Sequence, residues 1–164
     1  MSASICPGCG LSTELRGLPL DEKYHASGEC RALYDELSAF TFSLRDKEFI
    51  HQLGVDAYAA QHCGPKMKPI TITFALIGLF LTFERGYTGR EAQLAHIELG
   101  KKRRAWPWFA PPAEKGELTL LDVVPGLSDR NYKARLGAWG DAVWQSWSRE
   151  HGAISALAAK YLSV

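Results

Sequence analysis

The chain has 164 residues, 46% of them apolar and 23% charged, with a formal net charge of +1. That length supplies one sizeable core and not comfortably two, so residues 1–164 are read as a single domain. The ordinary composition excludes a disordered or fibrous chain. The near-zero charge argues against a general nucleic-acid-binding surface, which needs a clustered positive excess.

Residues 1–26 read as an irregular segment. It holds Cys6-Pro7-Gly8-Cys9-Gly10, which has the form of a zinc knuckle: two thiolates on a tight turn whose glycines let backbone amides face the sulfurs. A redox CxxC would sit between a strand and a helix, and nothing strand-like precedes Ile5. Four cysteines, two of them in that CxxC, fit a metal site better than a disulfide framework. The start, MSASICPGCG, lacks the basic and apolar regions of a signal peptide, which leads us to expect a cytoplasmic protein.

From residue 27 to 164 the pattern is helical. Ser27 is placed to cap a helix over residues 28–42, with Leu33, Tyr34, Leu37 and Phe40 on its apolar face. Cys30 falls in its first turn, where the helix dipole favours a thiolate, and is expected as a third metal ligand. Asp46 is placed to cap a second helix running to His62, closed by Cys63-Gly64-Pro65. His51 and His62 are eleven residues apart in that stretch, HQLGVDAYAAQH. Eleven residues make about three helical turns, so both imidazoles and Tyr58 share one face, with Asp56 to the side.

Ile70 to Phe83 is almost wholly apolar. As a helix it spans about 21 Å, short of a hydrocarbon core of about 30 Å. With Pro69 before it and Glu84-Arg85-Gly86 after it, a buried central helix is expected, and no membrane span. Thr88-Gly89-Arg90-Glu91 is a capping box opening a helix to about Leu99, with Ala92, Ala95 and Leu99 inward. Lys101 to Arg104 reads as a solvated, dipole-favoured helix end. The competing reading is a contact for an anionic ligand or RNA, since Trp106 and Trp108 follow. The Pro-rich connection 105–116 places Trp106, Trp108 and Phe109 as core plugs or, alternatively, pocket walls. Residues 119–126 form a short helical turn. Ser128 is placed to cap a helix to about Trp147, with Trp139, Val143, Trp144 and Trp147 as its stripe. Residues 151–162 make the last helix. The expected architecture is all-α: a bundle-like helical core, 27–164, with the zinc-knuckle segment docked on it.

Several stretches together resemble a bacterial domain-of-unknown-function family of small proteins: CPGCG at 6–10, GEC at 28–30, HQLGVDAYAAQH at 51–62 and ALIGLFLTFERG at 75–86. WPWFAPP at 106–112, GELTLLDV at 116–123 and AVWQSW at 142–147 continue the match. The resemblance implies no activity. It directs attention to Cys6, Cys9, Cys30, His51, Asp56, Tyr58 and His62, and gives less weight to Cys63 and His25.

A Cys3His set of Cys6, Cys9, Cys30 and His62 satisfies the tetrahedral sulfur and nitrogen preference of Zn2+. His51, His25 and Cys63 remain alternative fourth ligands. The first functional expectation is a helical protein with a structural zinc, binding a small molecule or a protein partner. The second is an enzyme, with zinc keeping a water position open or with His51, Asp56 and Tyr58 doing acid–base work, in a pocket that Trp108 would help line. The third, a nucleic-acid module, lacks a second CxxC and a ββα finger. The sequence leaves the oligomeric state open.

Overall fold

The computed structural model describes residues 2–164. Two short strands, β1 (Ala3–Ile5) and β2 (Ser12–Glu14), pair antiparallel in the register Ser4 opposite Thr13. Six α-helices follow: α1 (Gly28–Ser43), α2 (His51–Gln61), α3 (Pro69–Arg85), α4 (Gly89–Gly100), α5 (Tyr132–Ser146) and α6 (His151–Tyr161). The architecture is all-α apart from that hairpin. The N-terminal segment is therefore less irregular than its sequence suggests, and β1 does precede the knuckle. The strand after it, rather than a helix, keeps the motif out of a redox CxxC setting.

The local signals for helix ends are met at α1, α3 and α4. Ser27 Oγ accepts the Cys30 amide at 3.1 Å. Pro69 occupies the first turn of α3, where its missing N–H costs nothing. Thr88 and Glu91 form the reciprocal capping box of α4. Two starts move. Asp46 Oδ2 accepts the Ile50 amide at 3.2 Å, yet α2 begins only at His51 because Phe49 takes a left-handed φ of 51°. Ser128 caps nothing: residues 120–126 form two 3-10 turns around Pro125, and α5 starts at Tyr132 after Asn131.

α3 is the central helix. Ile72, Leu76, Ile77, Leu79 and Leu81 are fully buried, and α3 packs most extensively against α2, with α4, α5 and α6 around it. Burial of each such side chain is worth about 1.5–3 kcal/mol before the entropy of ordering it. No helix among the described residues is long and apolar enough to cross a membrane. Trp139, Val143 and Trp144 of α5 and Trp147 at its C-terminal cap are all buried, as their spacing predicts. Trp106 and Phe109 plug the core from the connection, whereas Trp108 is 40% exposed.

One buried polar residue ties three elements together. Gln61, at the end of α2, donates through Nε2 to the carbonyls of Lys115 (3.0 Å) and Leu118 (2.8 Å) and accepts from the Trp139 indole at 3.0 Å. Its full use of donor and acceptor makes its burial tolerable. The same helix end therefore carries both this lock and, one residue later, His62.

Candidate metal centre

The turn between β1 and β2 is the knuckle itself. The Gly10 amide bonds the Cys6 carbonyl at 2.9 Å, and the Cys6 amide bonds the Leu11 carbonyl at 2.8 Å. Gly10 has a φ of +76°, which glycine adopts without strain. Gly8 serves a different purpose: a Cβ there would lie 2.5 Å from the His25 carbonyl oxygen and 2.7 Å from Cδ2 of His62. The missing side chain lets the turn lie flat against the imidazole.

Three separate stretches then converge. Cys6 and Cys9 come from the hairpin, Cys30 from the first turn of α1 and His62 from the C-terminal end of α2. Their ligand atoms all lie within 4.8 Å of one another. Cys9 Sγ is 3.9 Å from Cys30 Sγ, and Cys30 Sγ is 3.3 Å from His62 Nε2. A zinc ion bound at the ~2.3 Å usual for thiolates sets its ligand atoms roughly 3.8 Å apart in a tetrahedron, so the spacing fits. The four cysteines are free thiols, and Cys63 stands outside the group, its Sγ directed at the Phe109 carbonyl at 3.8 Å.

The histidine is prepared for ligation. His62 is fully buried, and its Nδ1 lies 2.8 Å from the Tyr58 carbonyl. A carbonyl can only accept, so Nδ1 carries the proton and Nε2 presents its lone pair to the sulfurs. Such an outer partner orients ligating imidazoles in metal sites generally. The thiols, packed together, cannot all ionise unaided. Donation from Cys30 and Cys9 pushes Cys6 down. Cys30 is pushed up by Cys6, Cys9 and burial. Donation from Cys30 lowers Cys9, but Cys6 and burial outweigh it and carry it up to about 12. A divalent cation would remove that conflict by stabilising all three thiolates.

Glu29, beside Cys30, has a part that the sequence did not signal. Its buried carboxylate accepts the Ser4 hydroxyl at 2.9 Å and the Arg16 amide at 2.8 Å, joining β1 and the chain after β2 to α1. The Arg16 amide, with further donors, holds its carboxyl down to about 2 against the opposing effect of burial.

The face shared by His51, Tyr58 and His62 exists, but it lies lengthwise along α1. His62 reaches Cys30 near the start of α1, Tyr58 stacks on Tyr34 at 3.9 Å, and His51 Nδ1 pairs with Thr41 Oγ1 at 2.9 Å near its end. The two imidazoles are thus about 16 Å apart along the axis. His51, between Phe42 and Phe49, is no neighbour of the cysteines, and burial lowers its pKa. Tyr58 is fully buried beneath His62, ring centroids 4.2 Å apart, and its hydroxyl has no hydrogen-bond partner among the described residues. Asp56 faces away, toward α3 and α4. It accepts from Gln52 Nε2 at 3.1 Å and lies 3.9 Å from His96 Nε2. His51, Asp56 and Tyr58 therefore form no common constellation, and exposed Trp108 does not join them. His25 packs by its side chain over Gly64 and by its carbonyl over Gly8, at the rim of the knuckle.

His96, which no local motif marks, is the histidine that Asp56 actually meets. No curated protein and no solved structure matches the chain. The model of one protein family, described as a family of unknown function (DUF5946), matches residues 4–148, most of the chain, and the protein belongs to that family.

Proposed function

We propose that Cys6, Cys9, Cys30 and His62 hold one Zn2+ ion in a closed, structural site, and that the chain is one domain serving as a zinc-stabilised helical module for a small ligand or a protein partner. The observation that carries this reading is the convergence of four ligand atoms, from three segments of the chain, within 4.8 Å. Three of the four residues are essentially inaccessible to solvent and only Cys9 is partly exposed, as a saturated site requires. The ion would supply cross-linking, not chemistry: it would fasten the hairpin to α1 and α2.

The test is metal content per chain by elemental mass spectrometry, on protein purified without a metal-affinity tag. One zinc per chain is expected. Cys30→Ser and His62→Ala should each lower zinc affinity by about 10- to 100-fold or more. Protein that purifies without metal, and whose melting temperature zinc does not raise, overturns the reading. Zinc retained at full affinity by His62→Ala would overturn the closed Cys3His set.

A further inference from the structure

The polar residues on the other side of α2 make a second site. Gln52 and Asp56 of α2 and His96 of α4 meet where α2, α3 and α4 pack together. A cleft of about 230 Å³ opens there, lined by these three residues and by Tyr24, Phe74, Thr71 and small apolar side chains. Typical pockets for drug-sized ligands run from about 300 Å³ upward, so this one suits a small metabolite.

The hydrogen bonds define what the cleft offers. His96 Nε2 lies 2.7 Å from the Phe74 carbonyl, so Nε2 carries a proton and that proton is committed. Gln52 Nε2 reaches Asp56 Oδ1 at 3.1 Å and His96 Nδ1 at 3.4 Å, donating to both. Asp56 is only 3% exposed, and among the described residues Gln52 is its single side-chain donor. Gly78 makes room for it: a Cβ there would fall 2.0 Å from Asp56 Oδ2 and 3.0 Å from His96 Nε2. No lysine or arginine lines the cleft among the described residues.

We propose that this cleft binds a small organic amine, its ammonium group pairing with Asp56 and its apolar body lying against Phe74 and Tyr24. A buried carboxyl with one neutral donor and no cation is costly to ionise, and a bound cation offsets that cost. Burial holds Asp56 well above the usual carboxylate range and lowers His96. The cations nearest the cleft, Lys23 and Arg31, lie over the Tyr24 ring at 5.2 and 5.8 Å from its centroid and do not line the cleft beside Asp56. Phe74 and Tyr24 line the cleft, and an aromatic ring attracts a cation over its face and not an anion. The proposal rests on the ligand-binding half of the function above and is independent of the metal.

The test is titration of the zinc-replete protein with n-butylamine and benzylamine, with benzyl alcohol and benzoate as neutral and anionic controls. Aromatic-ring NMR signals of His96, Phe74 and Tyr24 are followed. Saturable shifts of these signals with the amines, and not with benzoate, are expected. Asp56→Asn should weaken amine binding about tenfold or more, the loss expected for one charged hydrogen bond. Should Asp56→Asn fail to fold, the amine-against-benzoate comparison on the wild-type protein still decides. Saturable binding of benzoate or benzyl alcohol at equal strength overturns the amine assignment while leaving a ligand cleft. No saturable shift with any of the four overturns the cleft as a ligand site. Neither result bears on zinc content.

Discussion

The hairpin segment before Ser27 and the helical core around α3 are held together by different means. The core has a continuous set of fully buried side chains, from Leu37 through Leu76 and Leu81 to Trp139 and Ile154. The N-terminal segment buries few apolar groups, chiefly Leu11 and Ala26, and leaves Ile5, Leu15 and Leu20 at 69%, 50% and 65% exposure. Its strands span three residues each and would not persist alone. What fixes it in place is polar: the Glu29 carboxylate, the knuckle turn and the cluster of thiols with His62. A segment that cannot build its own core needs a cross-link, and a metal at the thiol cluster would supply one where a disulfide is absent.

The sharpest way to break this comparison is to remove the zinc proposed at Cys6, Cys9, Cys30 and His62. Chelation should raise amide hydrogen exchange at Cys6 and Gly10 by about a hundredfold or more, as expected when a tightly bound ligand leaves a locally cooperative unit. Amides in the middle of α3 should change little. Equal loss of protection in both regions would show that the metal supports the whole fold rather than its first segment.

A core substitution tests the converse. Leu76→Ala removes buried methyl groups from the centre of α3 and should cost about 2–5 kcal/mol, read from urea denaturation. The native protein should still bind one zinc with unchanged affinity, because none of the four proposed ligands comes from α3. Weakened zinc binding in that variant would mean that the two regions are not independent.

The smallest effect is set by Glu29. Its folded pKa of about 2 lies below the ordinary 4.5. The stability it contributes is therefore fully present above pH 4.5 and is lost as pH falls toward 2. Relative to Glu29→Gln, the wild-type protein should be more stable at neutral pH, and this advantage should shrink through that window. An advantage that stays constant from about pH 6 to about pH 2.5 would show that the charge of Glu29 contributes nothing.

Much of the helical framework is legible along the chain. A nearly unbroken apolar run marks α3 as the central helix, apolar residues recurring every three or four positions mark the buried faces of α4 and α5, and Ser27, Pro69 and Thr88 mark helix starts, because these signals are local. The three-residue strands are not legible, since so short a run carries no periodicity. The shift of α5 from Ser128 to Tyr132 follows from 3-10 turns that a cap pattern does not reveal. Cys6 and Cys9 announce themselves by spacing. Glu29 and His96 have no motif, and their roles arise only from what folds against them.

The amino-acid sequence alone determined which residues carry thiols and imidazoles, which faces are apolar, and that His51, Tyr58 and His62 point to one side of α2. Tertiary structure decided the rest. Because α1 runs back along that side, the stripe is spread over its length, and only its last member meets Cys30 and the knuckle. The opposite side of α2 meets α3 and α4, which turns Asp56 from a companion of Tyr58 into a partner of Gln52 and His96. Helical spacing fixes direction about an axis, whereas a site needs proximity in three dimensions, and proximity is set by which helices pack and in which sense they run.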